Sequence, residues 1–537
     1  MHLTKFVVIT GGVLSGLGKG IASASIGRLL KNHGKIICIK CDGYLNVDPG
    51  TMNPIEHGEV FVLNDGGEVD MDFGHYERFI GVQCKSEWNL TSGKVFNRVI
   101  AKERQGRFLG KTIQIFPHVI NEIKEWIFSL IKQEQPEIVL LEIGGTVGDI
   151  ENSWFVEAAR QLKKDVGQEN IAYVHLTYVP FLHSVGEPKT KTAQRDVALL
   201  REKGITPDII ICRSKDALPT NLKEKLAMFC DIEQSHIISG KDVENIYEVP
   251  LVFLNEGLLE ILNTKLSLKH KAEMDEWQSL VNKIKKPKHE VTIAICGKYT
   301  ALKDSYASVI EALTHAGAHN DTKVCLKWIE TTNIEDEKLA VDEALKGIDG
   351  VLVPGGFGRR GAEGKIAVIK AARENKIPYL GICYGLQLAV VEFARNVCGL
   401  SGANTTENEP GTPHPVIDFL PEQKTILAKG GTMRLGACKA VLKPASLVAQ
   451  LYGTLEVWER HRHRYEVNPD YHKALQDNGM ILSGLSENGR LAEFVELQDH
   501  PFFVATQAHN ELTSRLEKPN PLFFGFIKAA LAKRSNL

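Results

Sequence analysis

Phe6-Val7-Val8-Ile9-Thr10 runs straight into Gly11-Gly12-Val13-Leu14-Ser15-Gly16-Leu17-Gly18-Lys19-Gly20, and a helical pattern follows. Strand, glycine-rich loop, lysine and helix form the logic of a phosphate cradle. Glycines let backbone N–H groups converge on an anion, the helix N-terminus adds partial positive charge, and lysine reaches the outer phosphates. The strict G-x4-G-K-[ST] pattern fails here. The loop from Gly12 to Gly18 is one residue longer, and Gly20 stands where a Mg²⁺-binding hydroxyl is expected. Carboxylates must therefore hold any metal. Asp72, in Glu68-Val69-Asp70-Met71-Asp72-Phe73-Gly74-His75, is one candidate. Glu142 is the other: it ends the apolar run Ile138–Leu141, where an open α/β sheet presents its ligands.

Outward from the loop, short apolar runs recur between amphipathic stretches. Phe6–Ile9, Ile36–Ile39, Ile138–Leu141, Ala172–Leu176 and Ile209–Cys212 read as buried parallel strands. Pro117–Lys132 reads as a helix that starts on proline. Strands alternating with helices imply an α/β, doubly wound domain. Gly186-Glu187-Pro188-Lys189-Thr190-Lys191-Thr192-Ala193-Gln194-Arg195 is a second basic turn after a strand, read by itself as a solvated loop. The pattern breaks over Thr264–Glu290, where seven lysines crowd around one short helix at Trp277. The expected division is a domain over 1–267, a linker over 268–290 and a second α/β domain over 291–537.

In the second domain, Tyr379-Leu380-Gly381-Ile382-Cys383-Tyr384-Gly385-Leu386-Gln387 is an apolar strand, then G-x-C-x-G, then a helix. This is a nucleophile elbow with Cys in the nucleophile's place, where a helix N-terminus favours the thiolate and offers N–H groups to an oxyanion. Gln507-Ala508-His509-Asn510-Glu511 supplies a base and a carboxylate to orient it, so Cys383, His509 and Glu511 make a candidate triad. Val353–Gly358 is a glycine-rich strand exit suited to a further oxyanion N–H. Arg460-His461-Arg462-His463-Arg464 is a weak pattern for metal and, at this net charge, for nucleic acid.

The chain has 537 residues, and 64 Lys plus Arg against 66 Asp plus Glu leave a net charge of −2. That balance excludes a basic nucleic-acid coat and a polyacidic tail. Ten scattered cysteines form no disulfide framework. The only CxxC, Cys38 and Cys41, lies on a strand, where i and i+3 face opposite sides. No run approaches the ~20 apolar residues of a membrane span, and the N-terminal apolar run is too short for a signal core. The expectation is a soluble, reduced, cytoplasmic protein without nucleic-acid or membrane partners.

Taken together, these motifs resemble the CTP synthase family along essentially the whole chain. Ser15–Ile21, Lys40–Asp42, Asn46–Met52, Gly74–Phe79, Glu142–Glu151 and Lys241–Val243 resemble its amidoligase half. The elbow, Gly430–Gly436 and Arg460–Asn468 resemble its class I glutamine amidotransferase half. The resemblance implies that ATP phosphorylates the uracil O4 of UTP, and that ammonia from glutamine displaces the phosphate to give CTP. By the same match, Gly16, Leu17, Gly18, Lys19, Gly20, Ile21, Asp72, Lys241, Asp242 and Val243 bind ATP, and Asp72 and Glu142 hold Mg²⁺. Ser15, Lys189, Thr190, Lys191, Thr192, Ala193, Gln194 and Lys225 bind UTP or CTP. Asp149, Ile150 and Glu151 see CTP as feedback inhibitor. Gly356, Tyr384, Gly385, Leu386, Gln387, Glu407 and Arg464 hold glutamine. The family's implied assembly is a homotetramer, and its implied activator is GTP.

Two departures stand out. Ala508 and Asn510 replace the Phe and Pro that usually flank the catalytic His, and Val416–Gly430, the segment that covers the glutaminase site, is short. Two rival readings are a cobyrinate or cobyrate amide synthase and a non-catalytic, polymer-forming nucleotide binder. Asn46–Met52 and Lys189–Gln194 argue against the first, and the intact Cys383, His509 and Glu511 against the second.

Overall fold

A computed structural model describes residues 4–52, 58–182, 184, 186–298, 303–419 and 433–535. The chain divides into two compact units, Met1–Pro49 with Asp72–Gln278 and Gly50–Met71 with Ser279–Leu537.

The first unit is built on seven strands: β1 (Lys5–Gly11), β2 (Ile36–Asp42), β3 (Asn89–Thr91), β4 (Ile138–Ile143), β5 (Ile171–Tyr178), β6 (Ile209–Ser214) and β7 (Ile237–Lys241). Their order is β7-β6-β5-β1-β4-β2-β3, and every pairing is parallel. The apolar runs are continuous because β1, β2 and β4 are buried along their central length on both faces. The chain fills one side of β1 before crossing to the other, so strand order reverses at β1. The crevice at its carboxyl end, between β4 and β5, is where such sheets bind ligands. The helix expected over Pro117–Lys132 is an α-helix over Ile120–Glu134, entered by a wider turn over Ile115–Val119. Trp277 is fully buried in this unit: its indole N–H donates to Tyr247 O at 2.8 Å, and the Arg28 guanidinium lies 4.7 Å from its ring centroid.

The second unit has a nine-stranded sheet. Its strands include β8 (His289–Gly297), β9 (Thr322–Glu330), β10 (Gly350–Val353), β11 (Tyr379–Ile382), β12 (Arg434–Leu442) and β13 (Glu456–His463). After β14 (Tyr465–Val467), which pairs outside this sheet with Pro415–Phe419, come β15 (Met480–Ser486), β16 (Ala492–Leu497) and β17 (Phe503–Thr506). The order is β9-β8-β10-β11-β17-β16-β15-β12-β13. The first five are parallel, as expected of a doubly wound domain, and the rest continue the sheet antiparallel.

Gly50–Met71 belongs to this second unit. Its two short strands, Phe61–Val62 and Glu68–Val69, pair with each other. Asn64 O accepts from Ala437 N at 3.0 Å and Asn64 Oδ1 from Arg460 Nε at 2.6 Å, while Glu68 Oε1 accepts from Arg462 Nε at 2.8 Å. The Arg460–Arg464 stretch is therefore no surface patch: Arg460, His461 and His463 are buried. No helix among the described residues is long and apolar enough to cross a membrane. All ten cysteines are free, and burial raises the thiol pKa of Cys38 and Cys41 well above the usual range.

Candidate functional site

In the first unit, Gly11–Gly18 links β1 to α1 (Lys19–Leu30). Gly16 and Gly18 take φ of 73° and 90°, backbone open to glycine at little cost. Gly18 caps the helix in the left-handed conformation and delivers Lys19 as its first residue. Burial lowers the Lys19 pKa, while Glu142 and Asp72 pull it back up. The glycine at position 20 now has a reason: a Cβ there would overlap the carboxylate of Asp72, which begins α2 (Asp72–Ile80). The missing hydroxyl is replaced by space for a carboxylate.

Asp72 and Glu142 meet at one cation. Lys40 Nζ donates to Asp72 Oδ2 and lies 3.8 Å from Glu142 Oε1 and 3.4 Å from Asp42 Oδ1. Tyr76 OH donates to Glu142 Oε2, and Asn89 Nδ2 to Asp42 Oδ2 at 2.8 Å. Burial raises the Glu142 pKa against the pull of Lys40. For Asp72, burial acts upward too, but Lys40, His75 and Lys19 outweigh it and hold the carboxyl below its usual range. Two carboxylate oxygens aimed at one cation, beside a phosphate-type loop, fit a hard ion such as Mg²⁺, which takes one or two carboxylates plus phosphate and water oxygens. Lys40 and Asp42 were legible only as part of the family resemblance.

The remaining nucleotide candidates gather along the carboxyl edge of the same parallel sheet. Gly144–Glu151 leaves β4, with Asp149, Ile150 and Glu151 exposed. Lys189 and Thr190 precede α3 (Lys191–Glu202), which carries Lys191, Thr192, Ala193 and Gln194. Gln194 Nε2 donates to Thr190 Oγ1 at 3.1 Å. Lys241 ends β7, and Asp242 N donates to Ser214 O at 2.9 Å, tying that exit to β6. Lys225 is exposed on the helix Thr220–Cys230, and Ser15 is exposed in the first loop. Sequence reading missed a buried triplet beneath that loop. Thr10 Oγ1 and His175 Nδ1 are 2.8 Å apart, and His175 Nε2 lies 3.1 Å from Asp196 Oδ2. A Cβ at Gly12 would overlap the same Asp196 carboxylate.

In the second unit, Cys383 stands between β11 and α5 (Tyr384–Asn396), following α4 (Ala362–Glu374). Its φ of 51° and ψ of −99° are costly for a non-glycine residue and mark a strained elbow. Gly385 is required because a Cβ there would overlap Val353 O. Cys383 N donates to Thr506 O at 2.7 Å, which fixes the elbow to β17. His509 Nδ1 and Glu511 Oε1 are 2.7 Å apart. Burial opposes charge on His509, but Glu511 and Cys383 outweigh it and lift the imidazole pKa well above its usual value. The charge on His509 thus answers to both Glu511 and Cys383, so the histidine stands within electrostatic reach of the other two groups.

The glycine-rich exit of β10 reaches the same place. A Cβ at Gly355 would stand 2.7 Å from His509 Cε1, and one at Gly356 would stand 3.4 Å from Lys365 Nζ. Gly358 N donates to Glu407 Oε1 at 2.9 Å, and Tyr384 OH donates to Gly358 O at 3.0 Å. Burial raises the Glu407 pKa. Gln387 Nε2 donates to Tyr465 O at 3.0 Å, next to the half-buried Arg464. Gln507 is a contact not singled out from sequence: its Nε2 lies 3.6 Å from Cys383 Sγ. Ala508 and Asn510 are both buried. Asn510 Nδ2 donates to Tyr452 OH at 2.6 Å, so the polar replacement has found a partner. Residues 420–432 lie outside the described residues, and with them most of the short covering segment and Gly430–Thr432.

The family described as CTP synthase N-terminus matches residues 5–268, and the class I glutamine amidotransferase family matches 301–529. A curated protein of Methanocaldococcus jannaschii named CTP synthase is 54% identical over 99% of this chain and 100% of its own. The chain belongs to the CTP synthase family. Relatives with the same name in Methanococcus maripaludis and Carboxydothermus hydrogenoformans are each 53% identical, over 98% of this chain and 100% and 99% of theirs. A solved glutaminase domain of Trypanosoma brucei CTPS with bound acivicin is 37% identical, covering 93% of that chain and 45% of this one at a TM-score of 0.42. As a member of the CTP synthase family, the chain is a glutamine-hydrolysing ligase that converts UTP to CTP in pyrimidine biosynthesis.

Proposed function

We propose that the first unit phosphorylates UTP at O4 with ATP and aminates it, and that the second hydrolyses glutamine with Cys383, His509 and Glu511. The observation that carries this reading is the pairing, in one chain, of the Lys19–Asp72–Glu142 cluster with the strained Cys383 elbow beside a His509 whose charge Glu511 supports.

Gly16–Ile21 and Lys241–Val243 bind ATP, with Lys19 on its outer phosphates. Ser15, Lys189–Gln194 and Lys225 bind the pyrimidine nucleotide, and Asp149–Glu151 bind CTP as feedback inhibitor. Asp72 and Glu142 would hold Mg²⁺, which supplies charge neutralisation on the phosphate oxygens when bound. Transfer of the γ-phosphoryl group to O4 leaves ADP and converts a poor leaving group into phosphate. Ammonia then adds at C4 and phosphate departs, giving CTP.

In the second unit, the Cys383 thiolate attacks the side-chain carbonyl of glutamine, whose α-carboxylate Arg464 holds. Gly356, Tyr384–Gln387 and Glu407 line the site, and backbone N–H groups around Gly356 and the elbow face the developing oxyanion. His509 gives its proton to the departing ammonia. It then takes one from the water that hydrolyses the thioester, while Glu511 keeps its ring oriented. GTP as activator, a homotetramer and a cytoplasmic location complete the reading, and they rest on the family resemblance.

The test is stoichiometric. Purified protein given UTP, ATP, Mg²⁺ and glutamine should release CTP, ADP, phosphate and glutamate in equal amounts. Glutamate without CTP in the complete mixture would refute the coupling of the two units.

A further inference from the structure

A buried charge cluster behind the nucleophile has no part in the chemistry above. Arg434, at the start of β12, donates from Nη1 to Glu466 Oε1 at 2.9 Å and from Nη2 to Glu493 Oε1 at 2.7 Å. Both carboxylates are buried, at 3% and 1% exposure, and among the described residues neither Oε2 has a hydrogen-bond partner. His461 and His463, also buried, complete the group: His461 Nδ1 and His463 Nε2 are 2.9 Å apart.

The hydrogen bonds fix where the protons sit. His463 Nδ1 is 3.1 Å from Tyr465 O, a pure acceptor, so that nitrogen carries hydrogen. In a neutral ring its Nε2 then accepts, so His461 Nδ1 carries the next hydrogen. His461 Nε2 is left as an acceptor, and it faces Glu493 Oε2 at 3.6 Å. At that distance the two atoms are not hydrogen-bonded, and a bare carboxylate there would set lone pair against lone pair, so a protonated Glu493 carboxyl suits the pair. Burial favours the same state. It raises the pKa of both glutamates and lowers that of both histidines. One guanidinium, one carboxylate and one protonated carboxyl leave the cluster neutral.

Three of the cluster's four strands also touch the catalytic groups or the residues beside them. On β13, Arg460 O accepts from His509 N at 2.7 Å, and Arg462 O lies 4.0 Å from Cys383 Sγ. On β14, Tyr465 O accepts from both His463 and Gln387. On β16, Glu493 O accepts from Gln507 N at 2.8 Å, and Gln507 reaches Cys383 Sγ through its side chain.

We propose that Arg434, His461, His463, Glu466 and Glu493 are positioning residues of the glutaminase, holding β13, β14 and β16 in register behind Cys383 and His509 through the two Arg434 ion pairs and the His461–His463–Tyr465 hydrogen bonds, in a cluster that keeps one carboxyl protonated. Loss of that proton at high pH places a net negative charge behind His509 and sets the Glu493 carboxylate against the His461 Nε2 lone pair. Among the described residues, the other charged or titratable groups facing the cluster are Arg490 toward Glu466, Asp418 opposite Glu466 on the neighbouring strand, Cys438 beside Arg434, and His509 itself.

The inference rests on Cys383 and His509 as nucleophile and base, so Cys383→Ala is assayed alongside. The experiment measures glutamate release against pH in the full chain, with ammonia-dependent CTP formation as the control for folding. Glu493→Leu should lower kcat for glutamine by about 100-fold, the scale of an ångström misplacement at a reacting centre. Its effect on KM should be smaller, and ammonia-dependent synthesis should persist. Glu493→Gln keeps an N–H for His461 and an oxygen for Arg434, and should restore most of the loss. Its amide cannot ionise, so the alkaline fall expected of the wild type should be absent. Equal damage from Leu and Gln, or an unchanged alkaline limb in the Gln variant, would overturn the proposal. A Cys383→Ala protein that still hydrolyses glutamine would overturn the catalytic assignment beneath it instead.

Discussion

Cys383→Ala should lower glutamine-dependent CTP formation by about 10³-fold or more while leaving ammonia-dependent formation intact. The thiolate is the only group in the proposed mechanism that forms a bond to glutamine, and His509 and Glu511 have nothing to activate without it. The substitution is small and lies at a strained turn whose φ of 51° alanine must also adopt, so the backbone demand is unchanged. Ammonia supplied as a salt bypasses the second unit, and the rate should rise with pH as more nitrogen is unprotonated. Had Cys383 been a core residue only, the cavity left by alanine would weaken both activities together. Glutamate release and CTP formation, measured with each nitrogen source, separate these outcomes.

Lys19→Ala should have the complementary effect. CTP formation with either nitrogen source should fall by about 10²–10³-fold, some 3–4 kcal/mol of lost charge stabilisation. Lys19 is nine-tenths buried, and the loop of positive-φ glycines exists to place it. Glutamine hydrolysis should continue at an unstimulated rate, because no atom of the second site is altered. Asp72→Asn and Glu142→Gln remove charge at nearly constant volume, and each should raise the Mg²⁺ concentration needed for half-maximal synthesis. Wild-type rates at limiting Mg²⁺ in both variants would place the metal elsewhere.

How far these sites were legible in the sequence follows from how local their signals are. The phosphate loop and the cysteine elbow each occupy about ten consecutive residues, and each demands glycine at fixed offsets, so both could be read directly. Long apolar strands such as Ile138–Ile143 were legible for the same reason. The three-residue strand Asn89–Thr91 was not, because its only support is pairing with β2. The antiparallel strands after Arg434 alternate weakly and are held by distant partners. Gly20 looked like a lost hydroxyl until Asp72 was seen beside it. His461 and His463 gave a poor metal pattern because their partners, Arg434, Glu466 and Glu493, come from three other strands. Gly50–Met71 reads as part of the first domain by position, yet its contacts through Asn64 and Glu68 are with Arg460 and Arg462, some 400 residues away.

The central claim is that UTP is activated at O4 before ammonia displaces the new phosphate. UTP carrying ¹⁸O at its C4 carbonyl, incubated with ATP, Mg²⁺ and glutamine, tests it directly by mass spectrometry of the inorganic phosphate. The account predicts one labelled oxygen in phosphate for each CTP formed. Unlabelled phosphate accompanying CTP would contradict it.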